Sequence, residues 1–357
     1  MLTQEERNRL LIDAILEKER RLCPGSIALI GIYGSFLTGD VHPRSDLDLL
    51  ILINDDRGRQ LAETFIEDDR QVGHDLYCTS RESLREDARY TDPNIAKLMD
   101  SEIVYCADAS ARAELEELRE QVRKALSAPL SADDLRKAQG QLQQALSFFS
   151  EAILAEDLCE VRTMAGACLY SLENALAMLN KTYFRRGSRH RLEELDTLAR
   201  KPENLVSRIE EILTADSAAA LKDALVLLMR QTQDVFRQAA ASVAPAKRPA
   251  DAGILSGTYE EMFSNWRNKL ALAAETGDRH LAYMSLVNCA GMLKDISDEA
   301  EIGSYDPMSL YDPQDLPGTS ARFDALLDEY LLEYRKVGLT AKRFPDAQAF
   351  VRAYLET

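Results

Sequence analysis

The sequence is poor in aromatic residues and has no pattern typical of a membrane protein. Aromatic residues make up 7% of the 357 positions, with a single tryptophan. No apolar run reaches the roughly 18 residues that a membrane-spanning helix needs. The charged start, MLTQEERNRLL, has no apolar signal-peptide core. We therefore expect a cytoplasmic protein with no membrane partner.

The cysteines and histidines are too widely scattered in the sequence to indicate disulfides or a structural metal site. The six cysteines include no CxxC pair, so we expect reduced thiols rather than disulfides. The four histidines are also scattered, which argues against a structural zinc site.

Positive charge is scarce as well. The chain carries 43 Lys and Arg against 60 Asp and Glu, which gives a formal net charge of −17. A general nucleic-acid-binding surface needs basic coverage to neutralise phosphates. The composition therefore argues against nucleic acid as a partner, and equally against an anionic membrane surface.

The first 110 residues alternate between strand-like and helix-like patterns, which predicts a small α/β domain at residues 1–110. Short apolar runs predict strands, and apolar residues at helical spacing predict helices. The predicted strands are 26–33, 46–53, 71–80 and 101–108, and the predicted helices are 3–22, 56–69 and 81–90.

The rest of the chain is predicted to be almost entirely helical. A 3.6-residue periodicity over 111–242 predicts a helical bundle that lines a substrate cleft. Residues 243–253, rich in Pro, Ala and charge, read as a linker. Residues 254–357 are predicted to be a mostly helical C-terminal region to which the sequence assigns no role. The expected fold class is α+β, a small mixed sheet followed by helices.

The window YGSFLTGDVHPRSDLDLLILI, residues 33–53, places two acids at the start of a buried strand. Asp46 and Asp48 lie at i and i+2, so on a strand they share a face, while Leu47 points into the core. Two carboxylates this close repel each other. A bound divalent cation such as Mg²⁺ removes that repulsion and leaves positions free for substrate phosphates.

Gly34 and Ser35 precede this strand at the end of the one before it. Glycine lets the backbone approach a ligand closely, and nearby N–H groups with the serine hydroxyl can hold phosphate oxygens. Asp75, in VGHDLYC on the next predicted strand, is the candidate third acid. It would either complete a two-metal site or act as general base.

These motifs resemble the signature of the DNA polymerase β-like nucleotidyltransferase superfamily, which is Gly-Ser, about ten residues, then Asp-x-Asp among hydrophobic residues. The run from Tyr33 to Asp46 is similar to that of bacterial aminoglycoside and lincosamide nucleotidyltransferases. The resemblance implies that Gly34 and Ser35 hold a nucleoside triphosphate, with ATP the expected one. It further implies that Asp46, Asp48 and Asp75 serve two Mg²⁺ ions.

A basic run, KTYFRRGSRHR at 181–191, has no acidic residue. Two interpretations stay open. Lys181, Arg185 or Arg186 could reach the triphosphate and stabilise the leaving pyrophosphate. Alternatively, these cations could stabilise a helix C-terminus closed by Gly187.

The leading functional hypothesis is transfer of a nucleoside monophosphate to a hydroxyl of a small-molecule acceptor, an antibiotic included. An acidic chain would attract a polycationic aminoglycoside. The alternative is a protein-modifying or antitoxin-type enzyme that acts on a protein partner. Nucleic-acid end-addition and a degenerate module that only binds nucleotide rank lower.

Overall fold

The computed structural model describes residues 3–107 and 109–356. The chain divides into two compact units, Met1–Ala244 and Pro245–Thr357, and each has its own hydrophobic core. The predicted linker at 243–253 spans the boundary between them. Among the described residues, no helix is both long enough and apolar enough to cross a bilayer.

The described residues of the first unit form six strands. They are β1 Ile27–Ile32, β2 Leu49–Ile53, β3 Glu63–Glu67, β4 Val72–Leu76, β5 Cys78–Ser80 and β6 Glu102–Cys106. Four of them form a mixed sheet in the order β5-β2-β1-β6. The central pair, β1 and β2, is antiparallel, whereas β2 and β5 run parallel. β3 and β4 form a separate antiparallel hairpin.

Every residue of β1 and β2 is buried, because the sheet is covered on both faces. Along β2, Leu50 and Leu52 pack into the core shared with the helices that follow the sheet. Leu49 and Ile51 pack into a second core on the opposite face. Side chains alternate along a strand, so Asp48 has the orientation of Leu50. The acids before β2 therefore face the same side as the helices.

The first unit also contains ten α-helices within its described residues. They are α1 Gln4–Leu22, α2 Ser35–Thr38, α3 Arg81–Ala88, α4 Ala96–Asp100, α5 Ala109–Ser127, α6 Ala132–Leu154, α7 Leu158–Leu179, α8 Arg191–Asp196, α9 Leu205–Thr214 and α10 Ala218–Val243. Thr3 caps α1: its hydroxyl accepts from Glu6 N–H, and its own N–H donates to the Glu6 carboxylate, the pairing that the Thr-x-x-Glu spacing in the sequence favours. The observed architecture is α+β, which confirms the predicted fold class.

The predicted helix at 56–69 is wrong. The segment forms a short 3₁₀ helix, Asp56–Leu61, followed by β3. Phe65 and Ile66 favour a pleated strand, and the chain reverses at Gln71, where φ is 53°. The predicted strand 71–80 is divided at Tyr77 into β4 and β5. The strand predicted at 101–108 is observed as β6, and Asp108 lies outside the described residues.

One hydrophobic core crosses the boundary predicted at residue 110. It joins Leu50 and Leu52 of the sheet to Leu115 of α5 and to Leu172 and Leu176 of α7. The sheet and the helices after it therefore pack as one body, consistent with their placement in one unit. This packing fixes the position of the helices relative to the acids before β2.

The second unit is built mainly from helices around a tyrosine-rich core. Its elements are β7 Arg248–Pro249, α11 Ala252–Leu255, α12 Thr258–Glu261, a π-helix at Met262–Arg267, α13 Asn268–Thr276, α14 Arg279–Glu299, β8 Ala300–Glu301, a 3₁₀ helix at Pro307–Leu310, α15 Leu316–Lys336 and α16 Ala347–Leu355. Tyr330 and Tyr334 are fully buried and each has a hydrogen-bond partner for its hydroxyl. Trp266 packs into the same core.

The buried sheet makes a stability prediction with a matched control. Ile51→Ala in β2 should lower the free energy of unfolding by about 2–5 kcal/mol, because it leaves a cavity in a packed core. Ile66→Ala in β3 removes the same atoms from a side chain that is 71% exposed and should have little effect. Thermal unfolding followed by circular dichroism measures both. Equal changes in the two variants would contradict the packing described.

Candidate active site

A cavity of about 400 Å³ opens beside the ends of β1 and β2. Gly34, Ser35, Asp46 and Asp48 form one part of its lining, and residues 184–191 form another. The structure therefore brings the Gly-Ser pair, the two acids and part of the basic run into one hollow. Since β1 and β2 are neighbours, the turn after β1 and the acids before β2 meet at the same edge of the sheet.

The turn at Gly34 cannot accept a larger residue. Its φ is 75°, a conformation that residues with a Cβ rarely adopt. A Cβ added there would lie 2.0 Å from Oδ2 of Asp48. The backbone approaches the carboxylate this closely because Tyr33 N–H donates to the Asp48 carbonyl at 3.1 Å, which continues the strand pairing.

Asp46 and Asp48 flank a buried leucine, as the alternation predicts. Leu47 is 2% exposed and belongs to the core, whereas both acids line the cavity. Burial and, secondly, the neighbouring Asp46 carboxylate raise the pKa of Asp48 to about 6. The pair is therefore electrostatically unfavourable as it stands, and a cation between the carboxylates would relieve it.

These two acids fit a hard divalent cation that also contacts a substrate. Mg²⁺ is commonly held by one or two carboxylates, with phosphate oxygens and water completing its shell. Among the described residues, no group of three or more His, Cys, Asp or Glu side chains is arranged to hold a metal by itself. Asp46 and Asp48 could therefore supply two carboxylate ligands to a cation whose remaining ligands come from water or substrate.

Asp75 does not line this cavity in the described structure. It lies on β4, where it is exposed and accepts a hydrogen bond from the Thr64 hydroxyl at 3.1 Å. β4 pairs with β3 instead of continuing beside β2. Tyr77, two residues later, does line the cavity, and its hydroxyl is 2.8 Å from that of Tyr33.

Lys181 lies away from the described lining of the cavity. Its ammonium pairs with Asp134 at 2.8 Å and contacts the Pro129 carbonyl at 3.3 Å. The Lys181 side chain is 8% exposed, and the residue lies outside the described lining of the cavity. Asp134 also accepts from Ser131 N–H in the capping box of α6, so this lysine links the segment after α7 to the start of α6.

Arg185 and Arg186 do line the cavity, but each already has an acidic partner. Arg186 holds Asp40 through two bonds of 3.0 and 2.7 Å. The hydrogen bond from Arg186 keeps the pKa of Asp40 well below its ordinary range. Arg185 donates to Asp100 at 3.0 Å. Both pairs tie the basic loop to the region around the sheet.

The sequence-based selection missed three arginines of the lining, of which two, Arg44 and Arg189, are exposed. Within the described part of the chain, neither has a carboxylate at ion-pairing distance. Arg189 belongs to the basic run but follows Gly187, whose φ of 68° turns the chain. Helical spacing alone could not show that residues beyond this turn face the cavity.

A polar cluster lies at the side of the cavity nearest α7. The Arg191 guanidinium stacks on Phe184 at 3.4 Å from the ring centre and donates to Asn94 at 3.1 Å. Its Nε lies 3.7 Å from the carboxylate of Glu173. Burial raises the pKa of Glu173 to about 7, against the opposing effect of Arg191. The cluster gives the cavity a wall that can both donate and accept hydrogen bonds.

A family model described as a nucleotidyltransferase domain matches residues 12–127. Residues 12–127 form a nucleotidyltransferase domain. The match confirms the resemblance to the DNA polymerase β-like superfamily, whereas the closer similarity to aminoglycoside enzymes stays a prediction. The matched range contains the Gly-Ser pair and the two acids but ends before the basic run. No curated protein matches the chain.

The nucleotidyltransferase domain identifies the chain as a transferase of the type that moves nucleoside monophosphates, EC 2.7.7. Such a domain takes a nucleoside triphosphate as substrate. The cavity lined by Gly34, Asp46 and Asp48 is the candidate place for it, because the lining combines a close-approach turn, paired acids and arginines.

The Gly34 turn gives a test with a matched control. Gly34→Ala should reduce triphosphate binding by the nucleotidyltransferase domain, because the added methyl group displaces the Asp48 carboxylate. Gly39→Ala has the same φ of 75° but open space around the added Cβ. Calorimetric titration of ATP and Mg²⁺ into the folded variants measures the difference. Equal binding by both would show that the contact with Asp48 does not matter.

Proposed function

We propose that the chain is an Mg²⁺-dependent nucleotidyltransferase that moves a nucleoside monophosphate from a triphosphate, with ATP the expected donor, to a hydroxyl of a small acceptor. The observation that carries this proposal is the shared cavity. Asp46 and Asp48 line it together with Gly34, Ser35 and the basic loop at residues 184–191. A carboxylate pair that shares a hollow with arginines suits a metal-bound polyphosphate.

In the proposed reaction, the acceptor oxygen forms a bond to the α-phosphorus, and the bond from that phosphorus to the bridging oxygen breaks. Pyrophosphate leaves with the bond electrons, and the acceptor hydroxyl loses its proton. Bound Mg²⁺ would supply charge neutralisation at the phosphates. Asp46 and Asp48 would hold it there, and the arginines would stabilise the negative charge that grows on the leaving group.

Asp75 remains our proposed third acid on the basis of strand register. The parallel pairing of β2 with β5 matches Ile51 with Cys78. Carried back three residues, that register places Asp48 opposite Asp75. In the structure this register holds for β5 only. The chain leaves it at Tyr77, and β4 pairs with β3 instead of β2. We therefore propose that Asp75 accepts the proton of the hydroxyl in a substrate-bound state in which β4 aligns with β2.

The cavity lining changes our expectation for the acceptor. Its cationic residues are Arg44, Lys97, Arg185, Arg186, Arg189 and Arg191, and its acidic residues are Asp40, Asp46 and Asp48. Asp40 is occupied by Arg186, and the other two are the proposed metal ligands. A polycationic aminoglycoside would find no spare carboxylate among these groups. A neutral or anionic hydroxyl compound fits the lining better, despite the acidic chain.

A screen of hydroxyl-bearing acceptors with labelled triphosphates and Mg²⁺ tests the proposed function. Asp46→Asn and Asp48→Asn should each lower pyrophosphate release by about 100-fold or more, because metal neutralisation of charge is worth several kcal/mol. Asp69→Asn, an exposed acid of the β3–β4 turn, is the control and should retain activity. Undiminished labelling in the first two variants would rule out the site. Label on a protein would support the protein-modifying alternative.

The roles proposed for Arg189 and Lys181 predict different effects when each residue is replaced. Arg189→Met should raise the KM for the triphosphate by about tenfold or more, because a hydrogen bond to a charged group contributes about 1.5–3 kcal/mol. Lys181→Met should leave this KM unchanged and lower the melting temperature, because Asp134 loses its partner. Steady-state kinetics with thermal unfolding measures both effects. A raised KM for Lys181→Met alone would reverse the assignment.

A further inference from the structure

Arg7 of α1 is a buried charged residue. It lies far in the sequence from the residues that line the cavity. Its exposure is 3%, and it precedes the matched range 12–127. Transferring a guanidinium out of water is unfavourable unless close partners compensate for the lost hydration. The identity of those partners therefore indicates what the side chain does.

The first partner is the residue directly before Asp46. Arg7 Nη2 donates to the Ser45 carbonyl at 2.8 Å. Ser45 is also held through its own N–H, which donates to the His42 carbonyl at 2.9 Å. Its hydroxyl accepts from His42 N–H at 3.0 Å. With the amide, hydroxyl and carbonyl all engaged, Ser45 fixes the direction in which the chain enters Asp46.

The second partner leads to the residue directly before Asp75. Arg7 Nη1 lies 3.3 Å from Oε2 of Glu67. The same oxygen lies 3.2 Å from Nε2 of His74, whose side chain is fully buried. The His74 ring stacks on Phe65 at 4.8 Å between centres. One buried network thus contacts the residues that precede two of the proposed catalytic acids.

We propose that Arg7 is a positioning residue that sets the direction of Asp46 and, through Glu67 and His74, that of the strand carrying Asp75. The proposal rests on the proposed function, since it assigns Arg7 to the geometry of a metal–triphosphate site. Groups behind metal ligands commonly matter in this way, and their loss lowers metal affinity or activity by about 10–100-fold.

The sign of the effect separates positioning from simple electrostatics. Arg7→Met removes a positive charge and leaves Glu67 without this partner. Both changes would strengthen binding of a cation nearby if charge alone mattered. If Arg7 positions the acids, the variant binds the cation more weakly. Mn²⁺ is a suitable probe, because electron paramagnetic resonance counts the free ion in the presence of ATP without any turnover.

Arg119→Met is the matched control. Arg119 is also a buried arginine of the same unit, 7% exposed, and donates to the Leu98 carbonyl at 2.8 Å. We expect Arg7→Met to raise the Kd for Mn²⁺ in the presence of ATP by about tenfold or more. Arg119→Met should leave that Kd unchanged even if its melting temperature falls. Unchanged or tighter binding by folded Arg7→Met would overturn the proposal.

A second pair of variants tests the network if Arg7→Met does not fold. Glu67→Gln and Glu63→Gln remove the same charge from the same strand, but the Glu63 side chain is 61% exposed and pairs with Lys18 at the surface. Weaker Mn²⁺ binding in Glu67→Gln than in Glu63→Gln supports the network, and equal binding overturns it. Wild-type protein that shows no ATP-dependent Mn²⁺ binding would instead overturn the proposed function itself.

Discussion

The repulsion between Asp46 and Asp48 is the constraint on which the rest of the site depends. Strand alternation places both carboxylates on the face of β2 that is directed towards the helices, and burial raises the pKa of Asp48 to about 6. The Gly34 turn brings backbone against the same carboxylate. Two carboxylates in this arrangement are unfavourable unless positive charge lies nearby. The arginines of the cavity lining and a bound cation would provide that charge.

Positive charge at the cavity falls into two groups with different roles. Arg185 and Arg186 are paired with acids of the sheet region, so they hold the basic loop in place. Arg44 and Arg189 have no such partner among the described residues and remain free to meet a polyanionic ligand. The net charge of the chain, −17, therefore says little about the cavity, because ligands respond to the local distribution of charge.

The single core that joins the sheet to the helices explains how distant segments reach one cavity. Leu50 and Leu52 point to the same side as Asp48 and belong to the same hydrophobic core as residues of α5 and α7. The loop after α7 is then held near the acids, and Phe184 N–H donates to the Pro93 carbonyl at 3.2 Å. A nucleotidyltransferase domain that ends near residue 127 thus has a cavity completed by residues beyond it.

The sequence by itself determined the α+β class, the buried strands β1 and β2, the cap of α1 and the placement of Gly34, Ser35, Asp46 and Asp48 at one site. These features depend on the periodicity of short segments and on the pairing of strands that follow each other in the chain. Both can be read from the local sequence. Only the tertiary structure decided the pairing of Lys181 with Asp134, the exposure of Arg44 and Arg189 to the cavity and the departure of Asp75 from it. It also decided that residues 56–69 form no long helix, because β3 is stabilised by pairing with β4. All of these features depend on which segments of the chain pack or pair with each other. The spacing of residues within one segment does not specify which other segment it will contact.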